Sequence, residues 1–289
     1  MSAGGNTARC AYVFPVMQTS TWSRVLGSAV FVLAALLAVV PSGVSASSGT
    51  LALTGFSGKL RAIFALPNEA PSVSVSTGGT ALLVMTPFSS KVRGRIGSYE
   101  MGTWPYEQGG RPKTSSYVPP RGFLQVTPQN SAEKVSEHFA LGDFLTKDQL
   151  SIWPKYEVLD PRLLDKLELT IDELAAEGHP LHGLHVMSGF RTPRYNAPGV
   201  GEGGRSAISR HMYGDAADVY PDDARLEDLN GDGKVDIQDA RILARAVELV
   251  EKKYPALIGG IGIYPATSAH PPFVHIDARG YKARWGAWA

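Results

Sequence analysis

The chain reads as an α+β protein, on three observations. Residues 72–76 (Ser-Val-Ser-Val-Ser) alternate with period two, and the turn-forming run 77–80 leads into apolar residues 81–85. Two longer segments carry apolar side chains at helical spacing. One is Leu164, Leu167, Ile171 and Leu174; the other is Ala240, Leu243, Val247, Val250 and Tyr254. Strand patterns return at Leu184 and Val186 and again over residues 273–277. With 44% apolar and 19% charged residues, a sizeable core is expected and general disorder is not.

Taken in order, the chain opens on a leader. Arg24 precedes a 16-residue uncharged run, 25–40, followed by Pro41 and the small residues Val44, Ser45 and Ala46. This is the pattern of a secretory signal, residues 1–46, cleaved after Ala46. The run is shorter than the ~20 residues of a spanning helix, which disfavours an uncleaved anchor. The remainder is expected to be exported, to the periplasm or outside the cell. Cys10 is the single cysteine and lies in the leader, so disulfides and cysteine chemistry are excluded from the rest. Beyond residue 46 there are 26 basic and 27 acidic side chains. That balance gives no electrostatic basis for nucleic-acid binding.

Residues 47–130 read as a β-rich region and linker. Gly, Pro, Ser and Thr dominate 102–122, including Gly109-Gly110 and Pro119-Pro120. A second domain, 131–289, is expected to follow. Asp160 and Pro161 supply an N-cap and a first-turn proline, and Gly178 closes that helix. The strand at Leu184 and Val186 runs into Ser188-Gly-Phe-Arg191, which can deliver Arg191 to a cleft. The later helix stops at Pro255.

Two motifs carry chemistry. His211 and Asp218 are seven residues apart, which on a straight strand would point them to opposite faces. Gly214 between them allows a turn that aims both at one spot. His275 adds a second imidazole from the 273–277 strand. Two histidines and a carboxylate, with a fourth position open, form the catalytic type of zinc site. The alternative is a helical pair without metal, which Gly214 and Pro221 oppose. His179, His182 and His185 are also regularly spaced, but Pro180 and Gly183 break any helix that would align them.

The second motif is residues 228–239. Asp228, Asn230, Asp232, Asp236 and Asp239 occupy positions 1, 3, 5, 9 and 12 of a calcium loop. Gly233 sits at position 6, and Lys234 can offer its carbonyl at position 7. An aspartate at position 12 resembles dockerin-like calcium loops. A single loop of this type is expected to brace the fold with Ca2+, and a paired-loop partner is not expected.

Ser188-Gly-Phe-Arg191, Ser209-x-His211-x-x-Gly214-x-Ala216-x-Asp218 and Val274-His275-Ile-Asp277 together resemble the zinc D-alanyl-D-alanine carboxypeptidase family. The similarity lies with its bacterial cell-wall peptidases, whose last ligand sits in a His-x-Asp pair, and spans roughly residues 136–285. It implies a central antiparallel sheet with helices packed to one side. It implies Zn2+ on His211, Asp218 and His275, with Arg191 touching a substrate carbonyl or carboxylate. The expected function is an exported zinc metallopeptidase that cleaves peptidoglycan stem peptides or cross-links. Many relatives carry an acidic general base three residues before the last histidine; here that residue is Pro272. Asp277 and His270 are the candidate replacements, and Asp277 can alternatively support a ligand imidazole. Without either as base, the chain would be a metal-containing wall-binding protein.

Overall fold

Caps and glycines set where the elements begin and end. The computed structural model describes residues 55–68, 80–112, 114–202, 204–222 and 228–288. The expected leader, the strand at 72–76 and most of the turn after it lie outside them.

Strands β1 (Ala62–Ala65) and β2 (Ala81–Val84) pair in parallel. Next come β3 (Thr86–Pro87) and the short hairpin of β4 (Arg95–Ile96) and β5 (Tyr99–Glu100). Strands β6 (Gly122–Val126) and β7 (Lys155–Glu157) join β3 in a three-stranded antiparallel sheet. Helix α1 (Pro161–Ala176) starts where expected: the Asp160 carboxylate accepts from Arg162 N at 2.9 Å, and Pro161 holds the first turn. Then follow β8 (Leu184–Ser188), the single turn α2 (Pro193–Asn196) and β9 (Ala216–Pro221). Helix α3 (Ile237–Lys253) is capped by Asp236, which accepts from Gln238 N, while Asp239 reaches back to Asp236 N. The chain ends its regular structure with β10 (Gly260–Tyr264), β11 (Phe273–Asp277) and β12 (Ala283–Gly286).

The main sheet has the order β12-β10-β11-β9-β8. Three of its pairings are antiparallel, but β12 runs parallel to β10. The sheet is therefore mixed, not purely antiparallel. After β11 the chain crosses β10 and adds outside it, which makes β12 parallel to its neighbour.

Alternation gives this sheet two different faces. Val186, Ala217, Val219, Ile261, Ile263, Val274 and Ile276 point to one side and share a core with Leu163, Leu167, Leu243 and Val247 of α1 and α3. The two helices pack on each other, and α3 also lies against β10 and β11. The α+β class holds, with several sheets. The opposite face is left for polar side chains.

The N-terminal region is not a separate body. The described residues, 55 to 288, belong to one compact unit. Ala62 and Phe64 of β1, with Leu124 and Val126 of β6, enter the same core as α1 and α3. Nor is 102–122 a free linker. Trp104 and Tyr117 are buried in a second core with Phe123, Phe190 and Met212. Trp104 Nε1 donates to Met212 O at 2.7 Å. The aromatic side chains outweigh the turn-forming composition around them, because each removes a large apolar area from water.

Candidate metal centre

A register row places the site. Ser188, Asp218, His275, Gly262 and Trp285 stand opposite one another in turn across β8, β9, β11, β10 and β12. Asp218 and His275 are thus direct cross-strand partners on the face away from the helices. Their neighbours Ala217, Val219, Val274 and Ile276 face the core and fix that orientation.

His211 arrives from outside the sheet. It sits in a 3-10 turn, Arg210–Tyr213, ended by Gly214 in the left-handed region at φ +72°. A Cβ at 214 would lie 2.2 Å from Val158 O, so only glycine fits this turn. Next to it the buried Arg210 and Asp215 form a bidentate pair at 3.0 and 2.5 Å, which steadies the turn.

The three side chains meet. His211 Nε2 and His275 Nδ1 are 3.1 Å apart. Asp218 Oδ1 is 2.9 Å from His275 Nδ1 and 3.3 Å from His211 Nε2. All three residues are buried. Among the described residues, this is the one group of three or more His, Cys, Asp or Glu whose ligand atoms converge.

The remaining contacts decide which nitrogens carry protons. His211 Nδ1 lies 2.7 Å from Gly189 O, a pure acceptor, so Nδ1 carries the hydrogen and Nε2 is bare. His275 Nε2 lies 3.1 Å from Asp277 Oδ2, which leaves Nδ1 bare in the neutral ring. Two nitrogen lone pairs and a carboxylate oxygen then face one point. Such an arrangement is relieved either by a cation at that point or by a proton on His275 Nδ1 donated to Asp218. Ligand bonds of about 2.0–2.2 Å give tetrahedral edges of about 3.3–3.6 Å. The observed separations agree within a few tenths of an ångström, so the donor set fits a small divalent ion.

Electrostatics divide the two histidines: His211 is held neutral, and His275 is drawn toward its protonated form. Burial pulls the His211 pKa below its ordinary value, with Asp218 opposing and Arg191 adding to the depression. Burial acts on His275 too, but hydrogen bonds to Asp218 and Asp277 outweigh it and raise its pKa. The two histidines differ because His275 has two carboxylate partners and His211 has one. Burial would raise Asp218, yet the two imidazoles hold it well below the usual carboxylate range.

Asp277 is behind the His275 ring, on the side away from the ligand atoms. Its oxygens accept from Gly260 N at 2.8 Å and Arg279 N at 3.1 Å, and from the Arg279 guanidinium. Burial works against its charge, but His275 and Arg279 depress its pKa. A carboxylate this saturated orients the ring and holds its tautomer. Asp277 is therefore placed behind a ligand ring and not beside the ligand atoms. His270 Nδ1 contacts Pro271 O at 2.9 Å, and its ring meets that of Phe273 edge-on with centroids 4.9 Å apart. Arg191 does reach the centre. Its Nη2 donates to Asp218 Oδ2 at 2.5 Å and its Nε to Ser188 Oγ at 2.8 Å.

Two aromatic side chains form a wall of the site. The Trp285 ring lies 5.1 Å from that of His275, and its Nε1 donates to Tyr264 OH at 2.7 Å. A Cβ at Gly262 would stand 2.4 Å from Trp285 Nε1, and one at Gly260 would stand 2.9 Å from Trp285 Cη2. The glycines of Gly260-Ile-Gly262-Ile-Tyr264 were the available signal: alternate glycines in a strand mark close approach of another group.

The 228–239 loop leads into α3. Gly233 has φ +84°, as its place in the loop requires. Asp228 accepts from Gly231, Asp232 and Gly233 N, Asn230 from Asp232 N, and Asp232 from Lys234 N. Asp239 accepts from Leu229, Asn230 and Asp236 N. The acidic oxygens are engaged with the loop backbone and are not gathered as the histidine site is.

Comparisons of the chain with protein-family models, curated proteins and solved structures find no match.

Proposed function

We propose that this chain is an exported, zinc-dependent metallopeptidase that cleaves peptidoglycan stem peptides or their cross-links. One observation supports this above the others: two imidazoles and a carboxylate direct ligand atoms to one point, at three corners of a tetrahedron. Three protein donors leave one position for water or substrate. A divalent ion bound there supplies Lewis acidity to a water molecule and to the scissile carbonyl. The chain's own groups do the rest. Gly189 O and Asp277 fix the two ring tautomers. Arg191 offsets the charge of Asp218 and stands where an oxyanion would develop beside it. Trp285 and Tyr264 close one flank against bulk water.

The test is direct. Zinc-loaded protein incubated with muropeptides should release D-alanine or split cross-links, and a chelator or His211→Ala should stop it. A second reading has its own support: Pro272 stands at the expected base, and Asp277 is committed behind the His275 ring. On that reading the chain binds the wall without cleaving it. Zinc-loaded wild type that shows no turnover yet is retained on peptidoglycan would favour the binder.

We also propose that residues 228–239 bind Ca2+, with Asp228, Asn230, Asp232, Asp236 and Asp239 giving side-chain oxygens and Lys234 its carbonyl. The support is the agreement of five positions and Gly233 with the loop pattern.

A further inference from the structure

The row that carries the metal ligands ends at Ser188, and there a cleft of about 140 Å3 opens. Lys147, Arg191, Tyr195 and Arg205 are among its lining residues, and no acidic residue is. The three cations are not equivalent. Arg191 is committed to Asp218 and Ser188. Arg205 is held in place but keeps donors to spare. Its guanidinium lies over the Tyr195 ring, 4.4 Å from the centroid, and Nη1 donates to Tyr195 O at 2.5 Å. Its stem crosses Gly199, where a Cβ would come within 2.3 Å of Arg205 Cδ. Among the described residues, Arg205 Nε and Nη2 have no hydrogen-bond partner, and neither Arg205 nor the exposed Lys147 is paired with a carboxylate. A planar fork fixed in position, with a second cation across the cleft, matches an anionic group of the ligand.

We propose that this cleft holds a carboxylate of the bound peptide, and that Arg205 and Lys147, rather than Arg191, are its partners. The inference rests on the peptidase reading for the nature of the ligand. The cleft adjoins Asp218 through Ser188 and Arg191, so the recognised carboxylate lies close to the bond presented to the metal. Two sources share this chemistry: the C-terminal carboxylate, or the free carboxylate of an acidic residue in the stem.

The experiment measures binding and hydrolysis by the zinc-loaded full chain with three probes. These are N-acetyl-D-alanyl-D-alanine, its C-terminal amide, and that amide extended by one upstream glutamate. Wild type should prefer one of the two acids to the plain amide, and the preferred acid identifies the source. Removing charge-assisted contacts in Lys147→Gln/Arg205→Gln should weaken binding of that acid about 10- to 100-fold. KM should rise, kcat should change little, and discrimination between acid and amide should vanish. Arg205→Lys should recover part of it. The inference is overturned if the double variant discriminates as wild type does, or if wild type binds all three probes alike. Acid preference without hydrolysis of any probe would leave the carboxylate site standing and remove the peptidase. Equal binding and hydrolysis of acid and amide would do the reverse.

Discussion

Asp277 accepts from the His275 ring, from Arg279 and from two backbone amides at once. Its negative charge keeps His275 Nδ1 bare and basic. Asp277→Asn keeps the size and loses the charge, and the expected result is a 10- to 100-fold weaker zinc affinity, read by competition with a chelating dye. Glu157 presents the opposite situation. It is fully buried, and neither carboxylate oxygen has a partner. Burial, with Asp143 adding repulsion, pushes its pKa well above the ordinary carboxylate value. A raised folded-state pKa means that its contribution is intact below the unfolded value of about 4.3 and is lost as pH rises through the folded one. Denaturant titrations should therefore show stability declining as pH rises from about 4.3 toward the raised folded value, and Glu157→Gln should flatten that slope. The converging side chains were legible in part: His211, Gly214 and Asp218 carry a spacing with a mechanical meaning, and His275 joined them through its residue type and the family resemblance. Tyr264 and Trp285 were not, since an aromatic residue in a strand pattern reads first as core.

The helices were legible at the level of elements: Asp160-Pro161 marks the start of α1, and the apolar stripe ended by Pro255 marks α3. The Asp236–Asp239 capping box was not read as a helix start, because the same residues fit a calcium loop. The parallel placement of β12 was not, because nothing local records which strand a segment pairs with. The turn before α3 links the two scales. In the present arrangement the acids of 228–239 satisfy the loop backbone, and Asp236 and Asp239 also cap the helix. Calcium would draw those oxygens onto one centre and stiffen the entry to α3. Calcium in millimolar amounts should raise the melting temperature, and Asp232→Ala should abolish that rise without altering zinc content, checked by scanning calorimetry and metal analysis.

Across the whole molecule, β1 and β6 share one core with α1 and α3. Linker-like composition over 102–122 hid this, because Trp104 and Tyr117 make their contacts with residues far along the chain. Phe64→Ala should thus cost about 3–5 kcal/mol. It should lower a single cooperative transition in which the metal-site sheet unfolds together with the N-terminal strands. Two separate transitions, with the sheet unaffected, would contradict the shared core. The cross-strand placement of Asp218 and His275 has a kinetic consequence. An ion gripped by both rivets β9 to β11, and that grip exists only once the two strands have come into register. Zinc should accordingly leave the rate of folding nearly untouched and slow the rate of unfolding, so the loaded protein would outlast the empty one under proteolytic attack.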